Sequence, residues 1–106
     1  MLRRTKIVKL LQSEQPIDAV LLKGWVKTRR DAKDFSFIEI NDGSCLKNIQ
    51  VIAHNNLNNY EDIKKLTTGS SVAVKGALVP SQGGNQKFEI AAEEIEIYSV
   101  APEDYP

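Results

Sequence analysis

The sequence predicts an all-β domain with short helices, in which five strands close into a small barrel. Three observations predict it. Five segments carry the period-two alternation or β-branched content of strands. The first of them is long and holds a glycine, Gly24, in its middle, where a strand glycine marks a bulge or a sharp bend. The one clear helical segment inside this series falls between the third and fourth strands.

The elements follow in order. Ile7, Leu10 and Leu11 recur at helical spacing within Thr5–Ser13, with Thr5 as the expected cap and Pro16 as the breaker. Ala19–Arg30 reads as the bent first strand. Phe35–Asn41 alternates, with Ser36, Ile38 and Ile40 on one face and Phe35, Phe37, Glu39 and Asn41 on the other. Asn41-Asp42-Gly43-Ser44 is a turn, because Asp-Gly tolerates positive φ. Leu46–His54 is the third strand, with Ile49, Val51 and Ala53 opposed to Asn48, Gln50 and Ile52. An Asn-rich loop then caps a short helix over Tyr60–Leu66, and Gly69 ends it. Ser71–Val79 is the fourth strand, and the loop Pro80-Ser81-Gln82-Gly83-Gly84-Asn85 turns the chain. In the fifth strand Phe88 and Ile90 are out of phase with Ile95 and Ile97, which predicts a bulge near Ala92-Glu93. The list matches the five-stranded Greek-key barrel of the oligonucleotide-binding (OB) fold, although other small α+β folds share it. One domain is expected over residues 1–106, with the barrel over about residues 18–100.

Composition narrows the function. Net charge is zero, but residues 1–33 hold nine Lys/Arg against three Asp/Glu, whereas residues 89–104 hold six acids and no base. The basic end suits a phosphate backbone or is simply a solvated surface. No apolar run approaches the roughly 20 residues of a membrane span, and Met1-Leu2-Arg3-Arg4 leads into no secretory signal, so no membrane role is expected. A single cysteine, Cys45, allows no internal disulfide and fits a reducing, cytoplasmic setting.

No set of residues predicts catalysis or metal binding. His54 is the only histidine and reads as a polar loop residue. Cys45 has no second thiol or nearby imidazole, and Gly83-Gly84 lacks the Lys-Ser/Thr of a phosphate loop. A binding surface is better supported. With Ile38, Ile40, Ile49 and Val51 inside, Phe35, Phe37, Glu39 and Gln50 face outward. A flat aromatic there can stack on an unpaired base, and a glutamine amide can read a base edge. Lys27, Arg29, Arg30 and Lys33 lie just upstream as phosphate partners. The same pattern leaves open that Phe35 and Phe37 cover a barrel end or pack on a neighbouring domain. Trp25, beside the bend, reads as structural.

Longer motifs add to this. Gly24-Trp25-Val26-Lys27-Thr28-Arg29-Arg30-Asp31, Phe37-Ile38-Glu39-Ile40-Asn41-Asp42-Gly43-Ser44 and Ile49-Gln50-Val51 resemble the anticodon-binding domain shared by aspartyl-, asparaginyl- and lysyl-tRNA synthetases. The Asp-Gly-Ser-Cys turn, Leu66–Val72, Lys87-Phe88-Glu89-Ile90 and the terminal Glu103-Asp104-Tyr105-Pro106 resemble the asparaginyl branch. The resemblance implies that Phe37 stacks on the middle anticodon base, a uridine, that Gln50 hydrogen-bonds it and that Arg30 contacts the anticodon region. Glu89 matches a glutamate that helps aspartyl relatives read the third base. Many relatives carry a glycine before the stacking phenylalanine. Ala32-Lys33-Asp34-Phe35 does not, which lets Phe35 share or alter the stacking. The resemblance further implies a tRNA(Asn) partner, no cofactor in this segment, and a separate catalytic domain using ATP and Mg. It implies a homodimeric full-length ligase, with this domain alone a non-catalytic monomer. The alternatives are a free-standing single-strand-binding protein, a protein–protein module or the aspartyl counterpart.

Overall fold

The structure, a computed structural model, describes residues 2–81 and 86–102. Its elements are α1 (Ile7–Leu11), β1 (Ile17–Asp31), β2 (Phe35–Asn41), β3 (Ile49–His54), α2 (Tyr60–Ile63), β4 (Ser71–Pro80) and β5 (Phe88–Ser99). The strands close in the order β1-β2-β3-β5-β4, with β3 and β5 parallel and every other pair antiparallel. This is the expected five-stranded barrel.

Closure depends on β1 serving two neighbours. Residues up to Trp25 pair with β4, and those from Trp25 onward pair with β2. The handover falls at Gly24, and a skipped pairing between Val26 and Thr28 puts a bulge at Lys27. The phase slip in β5 is equally local. Lys75 pairs with Glu94 and Gly76 with Ala92, so Glu93 is the extra residue. Either side of it, Phe88, Ile90 and Ile95 can all point inward. The interior is branched aliphatic: Leu22, Val26, Ile38, Ile40, Ile49, Val51, Val74 and Ile90 are essentially without solvent exposure.

The two helices sit at opposite ends of β2. Ile7 and Leu10 of α1 join the core at the β2–β3 turn, and Tyr60, Ile63 and Leu66 join it where β2 begins. Both helices are shorter than expected. Thr5 does not cap α1. Its N-cap position is Lys6, and the orphan N–H groups of Ile7 and Val8 donate instead to Asp42 Oδ2 at 2.9 Å and Ser44 Oγ at 3.0 Å. A cap supplied from 35 residues away is invisible to local pattern reading. Asn59 likewise makes no cap; its amide donates to the Ile95 carbonyl at 2.8 Å. After Lys64, α2 tightens into three-residue turns through Lys65 and Leu66.

β3 starts at Ile49 rather than Leu46. The Asn41 amide donates to the Cys45 and Lys47 carbonyls and to Asn48 Oδ1, and this organises residues 42–48 as one turn. Gly43 takes φ +80° there, and Leu46 is fully exposed. The expected turn at 82–85 and the motif at Glu103–Pro106 lie outside the described residues.

Asp42 makes the α1 dock acid-sensitive. Burial pushes its carboxyl up, but the Ser44 hydroxyl, the Ile7 and Ser44 N–H groups and the Arg4 charge together hold it below the ordinary 3.8. A depressed carboxylate gives stability that is present above the unfolded value and is lost as the pH falls through the folded one. Asp42→Ala should therefore cost about 1 kcal/mol at neutral pH. It should also flatten the acid limb of a urea-midpoint series run between about pH 5 and pH 2. An acid limb as steep as the parent's would show that Asp42 is not the group responsible.

Candidate nucleic-acid interface

The β2–β3 register decides which side chains share a surface, because residues paired across an antiparallel ladder point to the same side. Phe35 pairs with His54, Phe37 with Ile52 and Glu39 with Gln50; these share the outward phase, although Ile52 itself is buried. Ser36, Ile38 and Ile40 pair with Ala53, Val51 and Ile49, and all six are buried. From β1, Arg30 pairs with Phe37 and Thr28 with Glu39, so the outer surface spans three strands. Phe37 and Gln50 are diagonal neighbours on it, a relation that places Cβ atoms roughly 7–8 Å apart.

Phe37 is half-buried, flanked by Arg30 and by Ile52. The Arg30 guanidinium lies 4.7 Å from the ring centroid, within cation–π range. A planar cation and a planar ring thus stand together at the surface, a pairing suited to a base between phosphates.

Gln50 is held from two sides. Its backbone N–H donates to Gln86 Oε1 at 3.2 Å, and its Nε2 donates to Glu89 Oε1 at 3.2 Å. Glu89 is only 7% exposed, and the Ser81 hydroxyl donates to the same oxygen at 3.1 Å. A carboxylate can only accept, so the amide must turn its NH2 toward Glu89. Gln50 Oε1 is left over; among the described residues nothing donates to it. The outer face therefore offers an acceptor at Gln50 and, beside it, the second Nε2 hydrogen.

Residues 20–98 match the tRNA anti-codon family, described as OB-fold nucleic acid binding domains. The chain belongs to that family. It is 47% identical over 103 residues to an asparagine–tRNA ligase of Microcystis aeruginosa, covering 96% of this chain and 23% of the relative. A ligase of the same name from Oleidesulfovibrio alaskensis is 46% identical over 106 residues, covering 99% and 23%. The chain thus spans about a quarter of the length of these curated relatives. Among solved structures, asparaginyl-tRNA synthetase from Pyrococcus horikoshii superposes with a TM-score of 0.80 at 25% identity, over 98% of this chain and 26% of that one. An OBody bound to hen egg-white lysozyme superposes at 0.78 with 17% identity, a likeness of fold alone, over 98% and 96%.

Within this OB domain the expected contact residues separate into groups. Arg30, Phe37, Phe35 and Gln50 share the outer face, and Glu89 reaches it through Gln50 from a buried position. Arg29 does not join them. It pairs with Ile38, which puts it on the inner side. Its Nε donates to the Leu66 carbonyl at 2.9 Å and its Nη1 to Asp31. The Arg29 hydrogen bond is the main cause holding the Asp31 carboxyl below its ordinary value. Asp31 also accepts from Ser36 Oγ at 2.7 Å, and Ser36 meets the Tyr60 hydroxyl at 3.0 Å. Arg29 is a strut at the α2 end of the barrel. Lys27 is exposed within the β1 bulge, and Lys33 is exposed in the β1–β2 turn. Glu39 accepts from Asn48 Nδ2 at 3.3 Å. Trp25 is 40% exposed and pairs with Asn41, four residues along β2 from Phe37. His54, read from sequence as a plain loop residue, ends β3 on the outer face with its ring centroid 5.7 Å from that of Phe35. Its in-register partner was the available signal. Among the described residues no helix is long and apolar enough to cross a membrane.

Proposed function

We propose that this OB domain is the anticodon-recognition module of an asparagine–tRNA ligase. The observation that carries the reading is the diagonal of Phe37 and Gln50 on one outer face, with Arg30 against the ring. Identity of 45–48% to ligases of that name, across nearly all of the chain, supports the asparaginyl assignment. The partner is the tRNA(Asn) anticodon loop, G-U-U, with bases splayed out as single-stranded RNA recognition requires. Phe37 stacks on the middle uracil, and Arg30 and Lys27 contact phosphates. The Gln50 Oε1 acceptor takes the N–H of the uracil pairing edge. A cytosine in that place meets the acceptor with its own ring acceptor, a mismatch worth about 1–3 kcal/mol. Glu89 acts by fixing the Gln50 amide, which is how it bears on decoding. Joining asparagine to tRNA with ATP and Mg belongs to the part of the ligase that this chain does not span. The full-length ligase is a cytoplasmic homodimer, and the OB domain alone is a monomer.

The test is affinity for anticodon stem-loops. The G-U-U loop should bind roughly 5- to 150-fold tighter than one with C in the middle position, given that range of discrimination. It should also bind measurably tighter than G-U-C, the loop that differs at the third base. Equal affinity for the stem-loop, poly-U and poly-A indicates an unspecific single-strand binder. No binding even at low salt, where phosphate contacts are strongest, removes the RNA role altogether.

A further inference from the structure

The row Arg30–Phe37 continues into an aromatic pair that stacking of one uracil leaves unused. Phe35 and His54 face each other in register where β2 begins and β3 ends, on the same outer side as Phe37. The Phe35 ring centroid is 5.0 Å from that of Phe37 with the planes at 84°, and 5.7 Å from that of His54 at 49°. Two rings nearly at right angles cannot both lie flat against one base. A base stacked on Phe37 meets Phe35 by its edge only, and the Phe35–His54 corner is left for another.

We propose that Phe35 and His54 form a second stacking subsite, which takes the unpaired RNA base next to the one held on Phe37. It rests on the anticodon reading above. His54 is exposed, so it seals no barrel end, and its imidazole offers a second flat surface beside Phe35. The backbone beneath is already fixed: Ala32 N–H donates to the Phe35 carbonyl at 2.8 Å and Asn55 N–H to the Asp34 carbonyl at 2.9 Å. The turn is thereby tied to the loop after β3, so little ordering cost remains when a base arrives. Cations stand at both ends of the row, Arg30 on Phe37 and Lys33 in the turn before Phe35, although the exposed Asp34 carboxylate opposes Lys33. That spacing of charge suits a backbone carrying two adjacent splayed nucleotides better than an apolar protein partner.

The test is a cycle of protein and RNA changes. The RNAs are the intact G-U-U stem-loop and two versions, each with an abasic site on one side of the middle uracil. His54→Ala should weaken binding of the intact loop about fivefold, and Phe35→Leu about tenfold, as expected for loss of one stacked base. Against one of the two abasic loops, both variants should bind like the parent. His54→Ala changes only an exposed side chain and cannot be read as misfolding. The subsite is overturned if His54→Ala binds the intact loop as the parent does, or if the losses are equal on all three RNAs. If the parent binds none of them, the anticodon reading falls as well. If the parent binds and only the cycle fails, the subsite alone falls.

Discussion

Phe37→Ala should weaken binding of the G-U-U stem-loop by about 1–3 kcal/mol, roughly 5- to 150-fold, while the domain stays folded. The size follows from what the ring supplies. Stacking on an unpaired base is worth that much by alanine substitution, and it needs an aromatic face that water can leave at small cost. Phe37 is already contacted by the Arg30 guanidinium and by the Phe35 ring at its edge, so part of its orientational freedom is spent before RNA arrives. Removing the ring also frees the Arg30 guanidinium, so the salt dependence of binding should persist while affinity falls. Stability should change little. The ring is half-buried on the outer face and belongs to no part of the interior cluster. Loss of its edge contact with Phe35 costs about 1 kcal/mol, a drop in melting temperature of under about 8 °C. Fluorescence anisotropy and a thermal melt on the same sample check both statements. Unchanged affinity with an intact melt removes Phe37 from decoding, whatever the fold.

The fold was legible in the sequence wherever one residue type had one physical reason. Alternation over Phe35–Ile40 and Ile49–Val51 sorted inside from outside, because a strand repeats every two residues and one face must be dry, whereas Asn41 and Ile52, in the outward phase, are buried as well. Gly24 and the phase slip at Glu93 announced two of the register departures seen in the closed barrel. What stayed hidden was long-range. The α1 cap comes from Asp42 and Ser44, and Arg29 is spoken for by the Leu66 carbonyl, so a basic residue expected at the surface became a strut. No local pattern distinguishes a lysine or arginine that waits for phosphate from one already engaged. The site was half legible. Alternation put Phe37 and Gln50 on the outward face together with Phe35 and Glu39, the family resemblance singled the two out, and their diagonal depended on a register that begins at Ile49. His54 was passed over because a lone histidine beside asparagines looks like loop. Only pairing with Phe35 makes it part of a surface.

Gly24→Ala should have a larger effect of the opposite kind, destabilising the domain by about 3 kcal/mol or more. Space is the reason. Gly24 has no positive φ, but a Cβ added there lands on the Asn41 carbonyl oxygen far closer than 3.0 Å, and 2.9 Å from Ile40 Cγ2. The oxygen belongs to backbone, so no side-chain rotation relieves the clash; β1 must lift away from β2 at the point where it changes partners. Gly76 is the matching position on β4, where a Cβ would strike the Ala91 carbonyl of β5, and Gly76→Ala should behave alike. The expected fall in melting temperature is at least roughly 12 °C. RNA binding should decline only in proportion to the unfolded fraction, since Arg30, Phe37 and Gln50 are untouched. Below the melt, affinity per folded molecule should match the parent. A Gly24→Ala domain as stable as the parent would mean that the handover from β4 to β2 is looser than the barrel described here, and the register that sets Arg30 against Phe37 would lose its physical cause.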